Sequence, residues 1–261
     1  MAERTFFGTL RIAILLAVLA FVALGARLDK RRSTDWDATL RVTVYPIAAS
    51  ADAATAEYVA RLEEADFDAL EDFFATEARR HGVALAEPVR VRLSRAATSQ
   101  PPAAPDDPGP FSVAAWSLRF RYWASRMATN DPLPTPDVQV FALYHAPDGG
   151  HAAPDSLGLS KGLMAVTHLY ADPRARGSNC VVLAHELLHT LGATDKYARD
   201  TGQPLDPAGL GDPDQSPRYP QRAGEIMAGR VAVNAREAVI PDGVQQMVVG
   251  PATAREIGWT E

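Results

Sequence analysis

The stretch HELLHTLGATD, His185 to Asp195, gathers side chains that ligate metals and move protons. On an α-helix, residues i and i+4 lie about 40° apart around the axis. His185 and His189 would then face one side, one turn apart, so that two imidazole nitrogens can close on one zinc ion. Glu186 sits about 100° round the helix, too far aside to ligate. It is placed instead to hold a water at the metal and take its proton. If the helix ran on past His189, Asp195 would lie about 9 Å further along the axis, out of reach. Gly192 can adopt the left-handed conformation that ends a helix, which lets Asp195 return as the third ligand. With that glycine and acid required as well, chance produces the pattern in this composition about once in 20,000, so we do not treat it as an accident.

Three other residues compete for the third position: His145, His168 and Glu225. Their spacings match no zinc pattern, and a lone histidine on a strand is more often an ordinary polar residue. Asp206, Asp212 and Asp214 lie in a Gly/Pro loop and could suggest calcium, but solvated loop acids explain them equally well. The chain has one cysteine, so neither an intrachain disulfide nor a Cys-rich zinc site is available. Cys180, Leu183, Leu187 and Leu191 fall on the helix face opposite His185, which makes Cys180 a small buried hydrophobe.

HELLHTLGATD resembles the extended zinc motif of the metzincin metallopeptidases, in the version where aspartate replaces the third histidine, as in snapalysin-type enzymes. The resemblance implies Zn2+ held by His185, His189 and Asp195, with Glu186 as general base for peptide hydrolysis. It also implies a methionine turn beneath the metal. Glu225-Ile226-Met227, 32 residues after Asp195, is the natural match. By the same resemblance LMAVTHLY (163–170) would be the edge strand that holds an extended peptide. The family's usual tyrosine after the turn has no counterpart; Tyr197 and Tyr219 are the substitutes at hand.

The elements that must position these residues can be read from periodicity. Residues 39–47 (TLRVTVYPI) alternate as a strand, as do 89–93, 138–144 and 163–170. Residues 56–80 read as one helix with Tyr58, Leu62, Phe67, Leu70, Phe73 and Phe74 toward the core. QPPAAPDDPGP is a loop. Val113, Trp116, Phe120, Trp123 and Met127 form the apolar stripe of a further helix, which we read as core. About thirty residues rich in Gly and Pro between Asp195 and Met227 should form an irregular lobe. The expected fold is therefore α+β: a metzincin-like zincin domain over 33–261, with a mixed sheet, helices on one face and an irregular C-terminal lobe.

The 261 residues are 47% hydrophobic and 22% charged, which suits one sizeable domain plus an anchor. Six of the 26 basic and two of the 32 acidic side chains lie in the first 32 residues, leaving 20 against 30, or −10, for the body. So acidic a body repels phosphate backbones, and nucleic acid is not an expected partner. Residues 12–26, IAILLAVLAFVALGA, are an uncharged apolar run. Extended back to Phe6 it gives about 31 Å of helix, enough to span a bilayer. A cleaved signal peptide with its cut near Ala23-Leu24-Gly25 is the competing reading. We expect a single-pass anchor in 1–32 with the body outside the cytoplasm, although Arg27, Lys30, Arg31 and Arg32 after the span pull the other way. The partners implied are a peptide or protein substrate and the membrane. A zinc hydrolase of non-peptide substrates and an inactive tethered binding domain are the alternatives.

Overall fold

The computed structural model describes residues 34–260 apart from 51, 96, 98, 106, 108, 148–156 and 160–162. The alternating stretches form strands β1 (Leu40–Ala48), β2 (Val89–Leu93), β3 (Val138–His145), β4 (Leu157–Leu159) and β5 (Met164–Tyr170). Among the described residues they make one five-stranded sheet in the order β2-β1-β3-β5-β4. The first four in that order run parallel, and β4 pairs antiparallel with β5, Leu159 opposite Met164. LMAVTHLY is thus an inner strand, and β4 is the edge on that side, contrary to what the resemblance implies. The edge position was what the resemblance implied, and the three residues of β4 are too few to show an alternation of their own.

The helical pattern over 56–80 is divided. Helix α1 (Ala53–Ala60) starts where the Asp52 side chain accepts from the Thr55 N–H at 2.8 Å. Helix α2 (Asp68–Arg80) follows a separate 3-10 turn, Glu64–Phe67. Glu63 and Asp66 cap that turn reciprocally, so its first N–H groups find partners inside the break and the chain can restart. Helix α3 (Pro110–Asn130) begins with proline at its first position, where no N–H is needed. Helix α4 (Arg176–Leu191) carries the two histidines, and α5 (Pro251–Glu256) closes the fold.

Both parities of the central strands are apolar, and this decides the layering. Val42, Val44, Val138, Val140, Ala142, Tyr144, Ala165 and Leu169 pack with α1, α2 and α4 in the larger core. Tyr45, Ile47, Phe141, Leu143 and Met164 point to the other face and pack with Phe120 and Ala124 of α3. Helices therefore cover both faces, not one, as befits a parallel sheet whose strands bury both sides. Each Leu or Phe so buried stabilises by about 1.5–3 kcal/mol relative to exposure.

Between α4 and the short strand β6 (Gly224–Glu225) the described chain has no named helix or strand. Among the described residues no helix is long and apolar enough to cross a membrane. The anchor expected in 1–32 lies outside the described residues.

Candidate metal centre

Helix α4 is fixed by its apolar side. Cys180, Leu183, Leu187 and Leu191 are all buried in the larger core. Burial pushes the Cys180 thiol up to about 11, which makes it a packing group and not a nucleophile. The opposite side presents His185 and His189, their rings 4.6 Å apart and nearly perpendicular. Gly192 ends the helix at φ 107°, a conformation that favours glycine, and its N–H donates to the His189 carbonyl at 3.1 Å. The chain then turns back. Asp195 Oδ1 comes to 3.0 Å from His189 Nε2 and 3.4 Å from His185 Nε2.

The proton positions follow from what the other ring nitrogens do. His185 Nδ1 lies 3.0 Å from the Ile226 carbonyl oxygen, and His189 Nδ1 lies 2.9 Å from that of Ala193. A carbonyl only accepts, so each Nδ1 carries the hydrogen, and the neutral form of each ring turns a lone pair outward at Nε2. Burial pushes His189 down, which favours its neutral form; burial acts on His185 too, but Asp195, Glu186 and the Ile226 carbonyl outweigh it and raise His185. His185, with His189 and Arg199, holds the Asp195 carboxyl below the usual carboxylate range, so it is an anion. Arg199 stands 3.7 Å from Oδ2, while Oδ1 is buried and receives no donor. With both rings neutral, two lone pairs and one carboxylate oxygen converge on a common point. One shared proton would satisfy one of the two imidazoles; a cation satisfies both. His185, His189 and Asp195 could hold a metal ion, their ligand atoms all lying within 4.8 Å of one another. Among the described residues no other such group occurs.

Glu186 is 5% exposed, and its Oε2 is also buried without a partner. Burial pushes its carboxyl up to about 7, with His185 and Asp195 as the charges acting on it. A carboxyl poised near neutrality can take and return a proton.

The rival residues are engaged elsewhere. Glu225 is fully buried and accepts from the N–H groups of Met227, Ala228 and Gly250 and from the Thr253 hydroxyl, all at 2.6–3.1 Å. It pins the 3-10 turn Ile226–Ala228, and that turn offers the Ile226 carbonyl to His185. Met227, in the same turn, is completely buried in the larger core. His145 and His168 lie 2.7 Å apart between Nε2 and Nδ1, with the parity of Leu143 and Val166, on the α3 side of the sheet. Asp206 pairs with Arg218, and Asp212 accepts from the Asp214 N–H at 3.1 Å, so these acids behave as loop residues. Tyr219 reaches Asp206 at 3.4 Å, whereas the Tyr197 ring lies 6.4 Å from that of His185. Of the two tyrosines, Tyr197 borders the centre.

Three supporting residues escaped sequence reasoning. Lys196, although 5% exposed, donates to the Thr194 carbonyl at 2.7 Å and to both oxygens of Glu256 at 2.8–2.9 Å. Glu256 accepts in turn from the Thr194 N–H and hydroxyl. This brackets Asp195 between two anchored neighbours and ties its turn to α5. An unusually buried lysine cannot be told from a surface one by spacing, so no signal was available. No protein-family model matches the chain, and no curated protein is detectably similar to it.

Proposed function

We propose that the protein is a zinc-dependent metallopeptidase of the metzincin type, with Asp195 as the third ligand. The observation that carries this reading is the convergence of two Nε2 atoms and Asp195 Oδ1, with both Nδ1 atoms committed to backbone carbonyls. Two neutral imidazoles and a carboxylate are a donor set that suits zinc and leaves a fourth position open. When bound, zinc supplies Lewis acidity, acidifying a water and polarising a carbonyl. The chain's own residues do the rest. The carbonyls of Ile226 and Ala193 hold the rings in one tautomer and orientation. Glu186, buried and poised near neutrality, takes the water's proton and hands it to the leaving amine. A carboxylate donates more negative charge than imidazole, so the centre should be a somewhat weaker Lewis acid than a three-histidine one.

The edge strand β4 packs beside α4, and an extended peptide could add to that edge by main-chain hydrogen bonds. This favours a peptide over a compact substrate. The sequence of residues 6–26 supports a membrane-anchored enzyme. The test is digestion of a peptide library by the zinc-loaded chain beside its Glu186→Gln variant. Cleavage by the parent and a loss of about 10²–10⁴-fold in the variant, at unchanged zinc content, is the expected result. Zinc binding with no peptide cleaved would overturn the peptidase reading.

A further inference from the structure

Helix α3 has a second face that the core does not use. Trp116, Phe120, Trp123 and Met127 pack against the sheet, yet Phe111, Leu118 and Tyr122 stand 91%, 70% and 66% exposed. Measured around the axis from Phe111, Ala115, Leu118 and Tyr122 all fall within about 40° of one line. Arg119 and Arg126 flank that line at about 60–80° on one side, and Arg121 lies about 80° away on the other. The helix, PFSVAAWSLRFRYWASRMATN, contains no acidic residue. Among the described residues neither Arg119 nor Arg126 is held in an ion pair. The pattern is apolar along the middle and basic at both margins.

We propose that α3 docks on an anionic lipid surface, lying in the interface with Phe111, Leu118 and Tyr122 among the acyl chains. Charge decides between the occupants. The face carries Arg119 and Arg126 and no acid, so it draws a phosphate-bearing surface locally although the −10 of the whole body opposes it, whereas a second copy docked by the same face would set arginine against arginine. Arginines beside an apolar line pair with lipid phosphates at the depth where the apolar side chains enter. An apolar segment such as residues 12–26 would satisfy Phe111 and Leu118 but give the arginines nothing. Docking this way turns the sheet parallel to the bilayer, with α4 and its histidines on the far side. The inference is independent of what the metal centre does.

The test uses the full chain in vesicles with a fluorescent label on Ser125→Cys, which is exposed at the margin of the same face and leaves the apolar residues in place. Cys180 is buried and does not compete for the label. A matching label on Arg236→Cys in the C-terminal lobe is the control. In vesicles of phosphatidylcholine and phosphatidylglycerol, the Ser125→Cys label should be quenched by bilayer-embedded nitroxide lipid and shielded from acrylamide, with the control showing neither. The docked-to-undocked ratio should fall about fivefold for each of Arg119→Gln and Arg126→Gln, and fall again in phosphatidylcholine alone. A label open to acrylamide in every vesicle would overturn the proposal. So would a label shielded from both quenchers, which means that protein covers the face. Equal quenching at the control would mean indiscriminate adhesion and would overturn it too.

Discussion

The backbone N–H of Lys196 donates to the Met227 carbonyl at 2.9 Å. Through that bond the segment carrying Asp195 is tied directly to the turn whose Ile226 carbonyl receives His185. The centre is therefore one hydrogen-bonded unit spanning residues 185 to 227, and disturbance on one side should be felt on the other.

Zinc should bind at one equivalent and stabilise the fold. At free metal one hundred times the dissociation constant, the gain is about 2.7 kcal/mol, visible as a rise of several degrees in Tm. Asp195→Asn keeps the shape but removes the anion. Its affinity for zinc should drop by more than the roughly 10–100-fold that loss of a supporting hydrogen bond costs. An unchanged titration of Asp195→Asn would remove Asp195 from the ligand set.

Without metal, Glu186 should make the protein less stable as pH rises. Its carboxyl is raised from 4.5 to about 7, so between these values the folded state binds more protons than the unfolded one. Stability then declines with rising pH across that window, and the full cost, about 3 kcal/mol, stands above it. Urea unfolding in the presence of chelator should show this decline in the parent and its absence in Glu186→Gln. Parallel pH profiles for the two would contradict the account of Glu186.

Lys196→Met should leave the Glu256 carboxylate and the Thr194 carbonyl short of a donor, at a cost of about 1–3 kcal/mol, because Glu256 keeps partial contact with water. Zinc affinity should fall as well, though less than in Asp195→Asn. Loss of stability with zinc affinity untouched would show that the Lys196 network does not position Asp195.

Gly192→Ala forces a Cβ onto a residue at φ 107° and should cost about 1–2 kcal/mol. Met227→Leu, nearly volume-conserving, should cost less than about 1.5 kcal/mol. Leu187→Ala opens a cavity behind the metal helix and should cost about 2–5 kcal/mol. Chemical denaturation of the three variants gives the ranking directly.

What could be read from the sequence was what helical geometry controls. His185, Glu186, His189, Gly192 and Asp195 fall within eleven residues, where 3.6 residues per turn and one glycine's freedom leave few arrangements. The Ile226 carbonyl and the Glu256 carboxylate were invisible, since a contact across 41 or 60 residues leaves no trace in local spacing. The break at Glu63 was hidden because apolar residues keep a helical rhythm through the 3-10 turn, so Leu62 and Phe67 looked continuous. Helices on both faces were missed for a related reason. Tyr45, Ile47 and Phe141 are as apolar as Val42 and Val44, and an alternation with no polar partner does not say which side faces water.

The sheet that separates the two cores also separates two sets of substitutions. Phe111 and Arg119 on one side share no packing partner with His185 or Leu187 on the other, so substitutions in the two sets should combine additively. Substitutions along the outer line of α3 should therefore leave the His185, His189 and Asp195 cluster undisturbed. A wall of β-strands thus keeps the proposed address and the proposed chemistry mechanically apart.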